Sequence, residues 1–186
     1  MPIKHIDTTP IEGLRIITPT VFGDSRGFFK EQYVMREYEQ AGIAAKFVQD
    51  NVSKSTKSVL RGLHFQLKFP QAKLVSVLCG EVYDVALDIR PDSKTFGQHF
   101  GLILSDTNHK QFFIPEGFAH GFCVISDEAI FSYKCSDYYH PNDEGGIHHA
   151  DPSLSIEWPY TDEQYIVSDK DKLWPSFSEF KKTLHG

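Results

Sequence analysis

The sequence contains few cysteines and no long apolar run. Among its 186 residues only Cys79, Cys123 and Cys135 are cysteines, and none of them forms a CxxC pair. An odd number of widely spaced cysteines argues against a disulfide framework or a zinc ribbon and favours buried free thiols in a reducing cytosol. No apolar run approaches the roughly 20 residues of a membrane-spanning helix, and the N-terminus lacks the apolar core of a signal peptide. We therefore expect a soluble cytoplasmic protein without a membrane partner.

Basic residues are also in deficit, since 19 Lys and Arg stand against 25 Asp and Glu and the net charge is −6. Such a chain has no general attraction for phosphate backbones, so we expect no nucleic-acid partner. The length suits one full-sized hydrophobic core, and neither an internal repeat nor a linker divides the chain. Residues 1–186 are therefore expected to form one domain.

Apolar and polar residues alternate through the middle of the chain, a pattern that predicts β-strands. In residues 82–89 one face is apolar and the opposite face carries Asp84 and Asp88. Further short apolar segments, separated by turn residues, lie at 73–78, 100–104, 111–114, 118–125 and 129–134. Helix signals are confined to residues 34–41 and to the tail after Pro175. This spacing predicts an all-β sandwich or barrel with a few short helices.

Polar residues are grouped into short islands, which predicts a barrel mouth lined by inward side chains. One island, at residues 60–66, reads LRGLHFQ. In a regular strand Arg61 and His64 would face opposite ways, so both reach one ligand only if the chain bends at Gly62. Histidine titrates near neutral pH and is the commonest general acid or base, although a lone histidine is more often structural.

Nine histidines in a strand-rich chain raise the question of a metal site built from three His and a carboxylate. A cupin barrel with such a site needs His-x-His, whereas this chain reads HFQ at residues 64–66. His120 alone fits the second metal-bearing strand, and the adjacent His148 and His149 would face opposite ways in a strand. We therefore predict no metal site.

The residues alone do not decide the roles of two arginines and one tyrosine. Arg26 and Arg61 suit a phosphate clamp, because a guanidinium matches phosphate oxygens, but each also suits a surface ion pair. Tyr133 and Lys134 are neighbours on a predicted strand, so only one of them can face the interior. An inward tyrosine is a candidate proton donor, although tyrosines in strands are more often packing residues.

Eight segments of the chain occur in the order that is typical of one known family, from about residue 18 to residue 175. They read FGDSRGFFKE, FVQDNVSKS, VLRGLHFQ, KLVSVLCGEVYDVALDIRPDSKTFG, LSDTNHKQFFIPEGFAHGF, YKCSDYYHPNDEGG, DPSLSIEWP and VSDKD. Together they resemble the dTDP-4-dehydrorhamnose 3,5-epimerase family. The resemblance implies a cupin-like jelly-roll barrel, that is, a double-stranded β-helix, and a homodimer without metal or cofactor. It also implies inversion of C3 and C5 of dTDP-4-dehydro-6-deoxy-D-glucose to give dTDP-4-dehydro-L-rhamnose, in dTDP-L-rhamnose biosynthesis.

The resemblance also implies four catalytic roles. His64 corresponds to the family's base, Asp171 to the carboxylate that orients it, and Tyr133 to the general acid. Lys73 corresponds to the cation near the C4 oxygen of the sugar. These roles suit the chemistry, because an enolate oxygen needs a nearby cation and inversion needs a proton donor on the face opposite the base. Asp84 is a candidate inward partner of Lys73 or of the histidine, and the same applies to Asp88.

Further positions correspond to substrate contacts in the family. They are Arg26, Glu31, Gln49, Asp50, Asn51, Arg61, Lys73, His120, Tyr139, Glu144 and Lys170. By the same resemblance, Tyr139 stacks on thymine, while Arg26 and Glu31 are lent to the active site of the partner subunit.

Two departures from the family's pattern leave other functions open. His149 stands where the family commonly carries Trp, and the loop at 67–72 is one residue shorter. Both lie near the presumed site, so a C3-only or C5-only epimerase, or a different nucleotide sugar, is an alternative. A non-catalytic jelly roll that binds a sugar nucleotide and a metal-dependent cupin isomerase are further alternatives. A matching His, Tyr, Lys and Asp set speaks against the binding protein, which needs no acid and base together.

Overall fold

The computed structural model describes residues 3–184. Within this range the chain forms thirteen β-strands and two short α-helices. The strands are β1 (Ile3–Thr8), β2 (Arg15–Pro19), β3 (Phe22–Asp24), β4 (Gly27–Phe29), β5 (Gln49–Thr56), β6 (Leu60–Gln66), β7 (Lys73–Cys79), β8 (Glu81–Asp88), β9 (His99–Ser105), β10 (Gln111–Ile114), β11 (Phe118–Val124), β12 (Glu128–Cys135) and β13 (Glu144–Gly146). The helices are α1 (Met35–Gln40) and α2 (Phe177–Thr183), and 3₁₀ turns lie at Asp162–Gln164 and Asp171–Leu173.

The strands form two antiparallel sheets that face each other, and a separate hairpin of β3 and β4. One sheet has six strands in the order β1-β2-β10-β7-β12-β5, and the other has five in the order β13-β6-β11-β8-β9. From β5 onwards the chain passes from one sheet to the other at every connection except the one between β8 and β9, which are neighbours in the five-stranded sheet. This is a cupin-like jelly-roll barrel, so the all-β prediction is confirmed. Residues 1, 2, 185 and 186 of the single domain expected over 1–186 lie outside the described range.

Local sequence patterns account for most elements. The strands predicted at 73–78 and 82–89 correspond to β7 and β8, and Gly80 forms the turn between them with a left-handed φ of +81°. The helix predicted at 34–41 corresponds to α1. The predicted tail helix is α2, which begins with a capping box in which the side chains of Ser176 and Glu179 each accept from the other's backbone N–H.

Three apolar clusters stabilise the barrel. The largest fills the space between the sheets, where the rings of Phe122 and Phe131 stack with their centroids 4.1 Å apart. A second cluster covers the outer face of the five-stranded sheet with Phe177 and Phe180 of α2. A third covers the six-stranded sheet with Tyr38 of α1. The open end between the sheets is therefore the place where polar side chains can meet a ligand.

The three cysteines are free thiols, as expected. Cys123 and Cys135 are buried, whereas Cys79 is only partly buried at the end of β7. No helix within residues 3–184 is long and apolar enough to cross a membrane.

Asp88 anchors the loop that follows β8 and takes no part in the cavity. Its buried carboxylate accepts hydrogen bonds from Arg90 Nε at 2.8 Å, Ser93 Oγ at 2.6 Å and Thr95 Oγ1 at 2.7 Å. Burial alone would raise the pKa of Asp88, but these hydrogen bonds outweigh it and lower the pKa from 3.8 to about 2. The expectation that Asp88 pairs with Lys73 or a histidine is therefore wrong, because Arg90 satisfies its charge.

We predict that Asp88→Asn removes stability that depends on pH. Because the folded pKa lies below the unfolded one, this contribution is complete above about pH 4 and is lost as the pH falls towards 2. Asp88→Asn should lower the free energy of unfolding by roughly 2 kcal/mol at pH 7 and by about half as much at pH 3. Urea unfolding at both pH values measures this difference, with Asp92→Asn as an exposed control. An equal loss at pH 7 and pH 3 would contradict the prediction.

Candidate active site

A polar cavity opens between the two sheets in two adjoining compartments of about 310 and 260 Å³. The two compartments share five lining residues, which come from both sheets and from the loops at the mouth. These are His64, Lys73, Tyr133, Tyr139 and Glu144. The cavity therefore collects residues that lie far apart in the sequence.

His64 and Asp171 form a hydrogen-bonded dyad in the wall of the five-stranded sheet. The Nε2–H of His64 donates to Oδ1 of Asp171 at 2.7 Å, which leaves the other ring nitrogen as a proton acceptor. Oδ1 also accepts from Trp174 Nε1 at 3.1 Å, and Oδ2 accepts from the Gly62 N–H at 3.3 Å. The carboxylate therefore fixes both the tautomer and the orientation of the His64 ring.

The electrostatics of Asp171 suit this role. The carboxylate is 4% exposed, and burial by itself would raise its pKa. The hydrogen bonds from His64, Gly62 and Trp174 outweigh burial, so the pKa of Asp171 lies below its usual value. An ionised carboxylate at this position stabilises the imidazolium that forms when His64 takes up a proton.

Gly62 provides the bend that the sequence required between Arg61 and His64. Its φ is +118°, a conformation that favours glycine, and the register between β6 and β11 shifts at this point. Arg61 and His64 consequently line the same compartment, although they are three residues apart on one strand. Arg61 is held there because its Nε and Nη2 both donate to Ser55 Oγ at 3.1 Å.

Tyr133 and Lys73 line the opposite wall, on neighbouring strands of the six-stranded sheet. Cys135, two residues after Tyr133, pairs with Lys73, so the three side chains share the inner face. Burial raises the pKa of Tyr133, which keeps its phenol protonated at neutral pH. Burial lowers the pKa of Lys73. Lys134 points the other way and pairs with Asp50 at 2.7 Å, so of the two neighbours Tyr133 is the inward one.

His120 forms a second histidine–carboxylate pair beside the first. It lies directly opposite His64 on the neighbouring strand, so both rings project from one face of the sheet. Its Nε2–H donates to both carboxylate oxygens of Asp84, at 2.9 and 3.0 Å. Burial lowers the pKa of His120, which favours the neutral ring. Asp84 is thus an inward partner, as expected, but of His120 rather than of His64.

Three residues form a linked group at the mouth of the cavity. The Tyr139 hydroxyl donates to Glu144 Oε2 at 2.6 Å, and the ammonium of Lys170 donates to the same oxygen. Burial would raise the pKa of Glu144, but these hydrogen bonds lower it. The ring of Tyr139 is 51% exposed and presents an aromatic surface at the entrance.

Comparison with known proteins identifies the family. The sequence model of the family described as dTDP-4-dehydrorhamnose 3,5-epimerase matches residues 8–179. The chain belongs to this family. It is an epimerase, so the alternative of a non-catalytic binding protein is wrong.

Individual relatives cover nearly the whole epimerase. A dTDP-4-dehydrorhamnose 3,5-epimerase of Shigella flexneri is 53% identical over 169 residues, which are 90% of this chain and 92% of the relative. The crystal structure of dTDP-6-deoxy-D-glucose-3,5-epimerase RmlC from Legionella pneumophila Philadelphia 1, in complex with dTDP-4-keto-L-rhamnose, has 52% identity and a TM-score of 0.93, covering 97% of this chain and 96% of that one. A mutant of ChmJ, a 3'-monoepimerase from Streptomyces bikiniensis in complex with dTDP, has 28% identity and a TM-score of 0.88, covering 95% and 89%.

The run at residues 49–51 splits between two faces of β5. Gln49 and Asn51 face inward and line the cavity, whereas Asp50 faces outward to Lys134. The expectation that Asp50 contacts the substrate is therefore wrong for this side chain, because alternate residues of a strand point to opposite faces. The inward pair is hydrogen-bonded, since Gln49 Nε2 donates to Asn51 Oδ1 at 3.1 Å.

Arg26 and Glu31 lie away from the cavity of their own chain. Arg26 is on the β3–β4 hairpin, where it pairs with Asp24 at 2.5 Å and its side chain is 88% exposed. Glu31 follows the hairpin and is exposed. The expectation that both residues serve a partner subunit stays a prediction.

The two departures from the family's pattern lie in different places. Residues 67–72 are tied to the Tyr139 loop, since the carboxylate of Asp143 accepts from the backbone N–H groups of Lys68 and Phe69. His149, in contrast, lines a separate groove with Trp158 and Tyr160. His149 is therefore not among the residues that line the cavity, and the expectation that it influences the site stays a prediction.

A metal site needs several ligand side chains close together. Among the side chains that the structure describes, no three of His, Cys, Asp or Glu are arranged to hold a metal ion. Gln66, which replaces the second histidine of a cupin metal motif, is engaged in the loops, where its Nε2 donates to the carbonyl of Phe69 at 2.7 Å. The prediction that the enzyme needs no metal stays a prediction.

Some cavity residues were not among those that we expected from the sequence. Cys135 and Ser53 line the wall of the six-stranded sheet, and Gln71 lines the outer compartment. Cys135 was predicted only as a buried thiol. Its spacing of two residues from Tyr133 was the signal that both share one face of a strand.

We predict that Gly62→Ala both destabilises the epimerase and displaces His64. A Cβ atom at this position would lie 2.6 Å from Gly121 Cα and 2.7 Å from the His120 carbonyl oxygen. The loss should be about 3 kcal/mol or more, with a marked fall in turnover. Denaturant unfolding and an activity assay measure both effects.

Gly42→Ala is the matched control, because its φ is +82° but no described atom lies within 4 Å of the added Cβ. It carries the cost of the left-handed backbone alone, about 1 kcal/mol, and should keep full turnover. Equal losses in the two variants would show that close packing at Gly62 is unimportant.

Proposed function

We propose that this epimerase inverts both C3 and C5 of dTDP-4-dehydro-6-deoxy-D-glucose and yields dTDP-4-dehydro-L-rhamnose, without metal or cofactor. Its place would be dTDP-L-rhamnose biosynthesis in the cytoplasm, and free thiols support that location. The observation that carries the proposal is the arrangement of the cavity, with His64 and Asp171 on one sheet and Tyr133 and Lys73 on the other. The Legionella enzyme crystallised with dTDP-4-keto-L-rhamnose supports the choice of nucleotide sugar.

The proposed reaction begins with removal of a proton from a carbon next to the C4 ketone. His64 takes this proton, and Asp171 stabilises the imidazolium that results. The electrons of the C–H bond move into the enolate, whose oxygen carries the negative charge and lies beside Lys73. A cation at that position contributes on the order of 3 kcal/mol to the stability of the enolate.

Inversion is completed when the Tyr133 hydroxyl gives its proton to the opposite face of the same carbon. The enolate collapses back to the ketone, tyrosinate regains a proton from solvent, and His64 releases its proton to solvent. Inversion requires the base and the acid to lie on opposite walls, since a base that returned its own proton would restore the starting sugar. Repetition at the second carbon gives the doubly inverted product.

The remaining residues of the site would hold the nucleotide. Arg61 and Lys170 are cations at the cavity and its mouth, and guanidinium and ammonium groups suit the diphosphate. We propose Tyr139 as the platform for the thymine ring, which its exposure supports. We propose four further residues as contacts of the nucleotide sugar: Gln49, Asn51, His120 and Glu144.

A single-carbon epimerase is the second candidate function. Similarity to ChmJ, a 3'-monoepimerase, supports it, since the same fold serves inversion at one carbon. The shortened loop at 67–72 is the feature of this chain that bears on the choice, because it packs against the loop that carries Tyr139. Proton NMR in D₂O distinguishes the candidates by counting the carbons that take up deuterium.

We predict that His64→Asn abolishes deuterium uptake at both C3 and C5, with a fall in turnover of about 10³-fold or more. The neutral amide cannot take a proton from carbon. Binding of dTDP, measured by calorimetry, should change little, and His5→Asn, outside the cavity, should behave as wild type. The assay uses metal-stripped protein, so full exchange in the presence of a chelator also tests independence from metal. Turnover retained by His64→Asn would refute its role as base.

Tyr133→Phe is predicted to separate proton removal from inversion. It should still wash deuterium into the substrate, while a reductase that accepts only the inverted sugar detects little product. Tyr138→Phe, an exposed neighbour of the mouth, is the matched control. Inversion at the wild-type rate in Tyr133→Phe would exclude Tyr133 as the acid.

We also propose that the enzyme is a homodimer in which each subunit lends Arg26 and Glu31 to its partner. The hairpin that carries Arg26 exposes three aromatic rings, with Phe22, Phe28 and Phe29 exposed by 57%, 59% and 65%. So much apolar surface on a short hairpin is characteristic of an interface. The distance of both residues from their own cavity supports the exchange.

Mixing two inactive variants tests this exchange. In a hybrid of Arg26→Ala and His64→Asn subunits, one site combines an intact His64 with an intact Arg26 from the other subunit. Random mixing should restore about a quarter of wild-type turnover. No recovery after subunits have been shown to exchange would refute the lending of Arg26.

A further inference from the structure

Asp84 is a buried carboxylate that the proposed mechanism does not use. It is 0% exposed and projects from the inner face of β8 towards the cavity wall. Both of its oxygens accept from Nε2 of His120, and within residues 3–184 its side chain has no other hydrogen-bond partner. Burial of a carboxylate is costly unless a positive charge or several hydrogen bonds compensate for it.

The two neighbouring dyads differ in this compensation. Asp171 has three donors, from His64, Gly62 and Trp174. Asp84 has only His120, whose pKa is lowered by burial, so that the ring is neutral at pH 7. The negative charge of Asp84 is therefore left to be balanced by another group.

Arg61 and Lys73 are the cations of the compartment that His120 lines, and Asp84 interacts electrostatically with Lys73. Lys73 lines both compartments of the cavity, and among the described residues its ammonium makes no hydrogen bond and no ion pair. Ionisable groups face it from five strands and one loop. They are Arg61 and His64 on β6, Asp84 on β8, His120 on β11, Tyr133 and Cys135 on β12 and Glu144 on β13, together with Tyr139 in the loop before β13.

Most of these groups cannot supply a negative charge to Lys73. Burial raises the pKa of the Cys135 thiol and of the Tyr133 hydroxyl, so both are neutral at pH 7. Glu144 is an anion, but it already accepts from Lys170 and Tyr139. Asp84 is the buried anion without a cation of its own.

We propose that Asp84 is a positioning residue of the active site: its buried carboxylate orients His120 and provides the fixed negative charge that keeps the Lys73 ammonium charged and uncommitted in the cavity. The inference rests on the proposed function, in which Lys73 must be positive when the enolate oxygen forms. A weakly solvated ammonium loses its proton easily, and a distant buried anion opposes that loss without occupying the hydrogen-bond donors of Lys73.

Titration of Lys73 in the substrate-free enzyme tests the proposal directly. The ¹³Cε chemical shift of Lys73, assigned with Lys73→Arg, is followed against pH in wild type, Asp84→Asn and Asp88→Asn. The midpoint for Lys73 should fall by about one pH unit in Asp84→Asn, because the amide keeps the hydrogen bond to His120 but not the charge. Asp88→Asn also removes a buried carboxylate from β8, and it should leave the midpoint unchanged.

Turnover against pH provides a second readout that a merely structural residue would not change. The alkaline limb of kcat should move to lower pH by a similar amount in Asp84→Asn and should stay in place in Asp88→Asn. KM should change less than kcat, since Asp84 lies in the wall behind His120 and not at the mouth. An alkaline limb that stays in place in Asp84→Asn would overturn the inference.

The reciprocal variant keeps the test decisive if Asp84→Asn does not fold. Lys73→Met removes the cation, so His120 should bind its proton more tightly and its ring should titrate at a higher pH than in wild type. Histidine Cε1 proton shifts measure this midpoint. An unchanged His120 midpoint in Lys73→Met, or an unchanged Lys73 midpoint in folded Asp84→Asn, would overturn the inference.

These titrations are independent of the substrate. Absence of turnover of dTDP-4-dehydro-6-deoxy-D-glucose by the wild-type enzyme would overturn the proposed function and would leave the measured midpoints standing. Wild-type turnover combined with unchanged midpoints would overturn only the role of Asp84.

Discussion

The hydrogen bond between His64 and Asp171 joins residues that are 107 positions apart in the sequence, and the site depends on it. To make this contact, the chain after β13 must return along the five-stranded sheet and place its 3₁₀ turn beside β6. Glycine at position 146 permits this return, because any Cβ atom there would lie only 2.3 Å from the Trp174 ring. Trp174 in turn donates to Asp171, so one close approach fixes the carboxylate that orients the histidine.

More of the fold than of the candidate site could be predicted from the sequence. Alternation and turn residues located β7 and β8, and the helix signals at residues 34–41 and after Pro175 located α1 and α2, because these signals act within a few residues. The inward direction of a side chain depends on which face of a strand meets the other sheet, and that follows from pairing with distant strands. Asp50 was therefore placed in the cavity with its neighbours, although it faces outward.

The hydrogen-bond and ion-pair partners of the buried carboxylates were the features of the site that the sequence predicted least well. Nothing near residue 84 in the sequence indicates that its carboxylate meets His120 rather than His64, because both histidines project from one face of the sheet. Asp88 has the same alternating pattern as Asp84, yet Arg90 satisfies it outside the cavity. The family resemblance assigned catalytic roles to His64, Lys73, Tyr133 and Asp171 together, whereas the residues alone left His64 and Tyr133 open to structural interpretations.

The stacked rings of Phe122 and Phe131 have a consequence for the chemistry, although neither ring carries a proton to transfer. Facing sheets lie about 10 Å apart, and the side chains between them set that spacing. Since the proposed base, His64, lies on one sheet and the proposed acid, Tyr133, on the other, the core also determines the gap that a sugar ring must bridge. A smaller side chain at either position would change the distance between the two proposed catalytic groups, so the packing of these two rings also bears on the stereochemistry of the reaction.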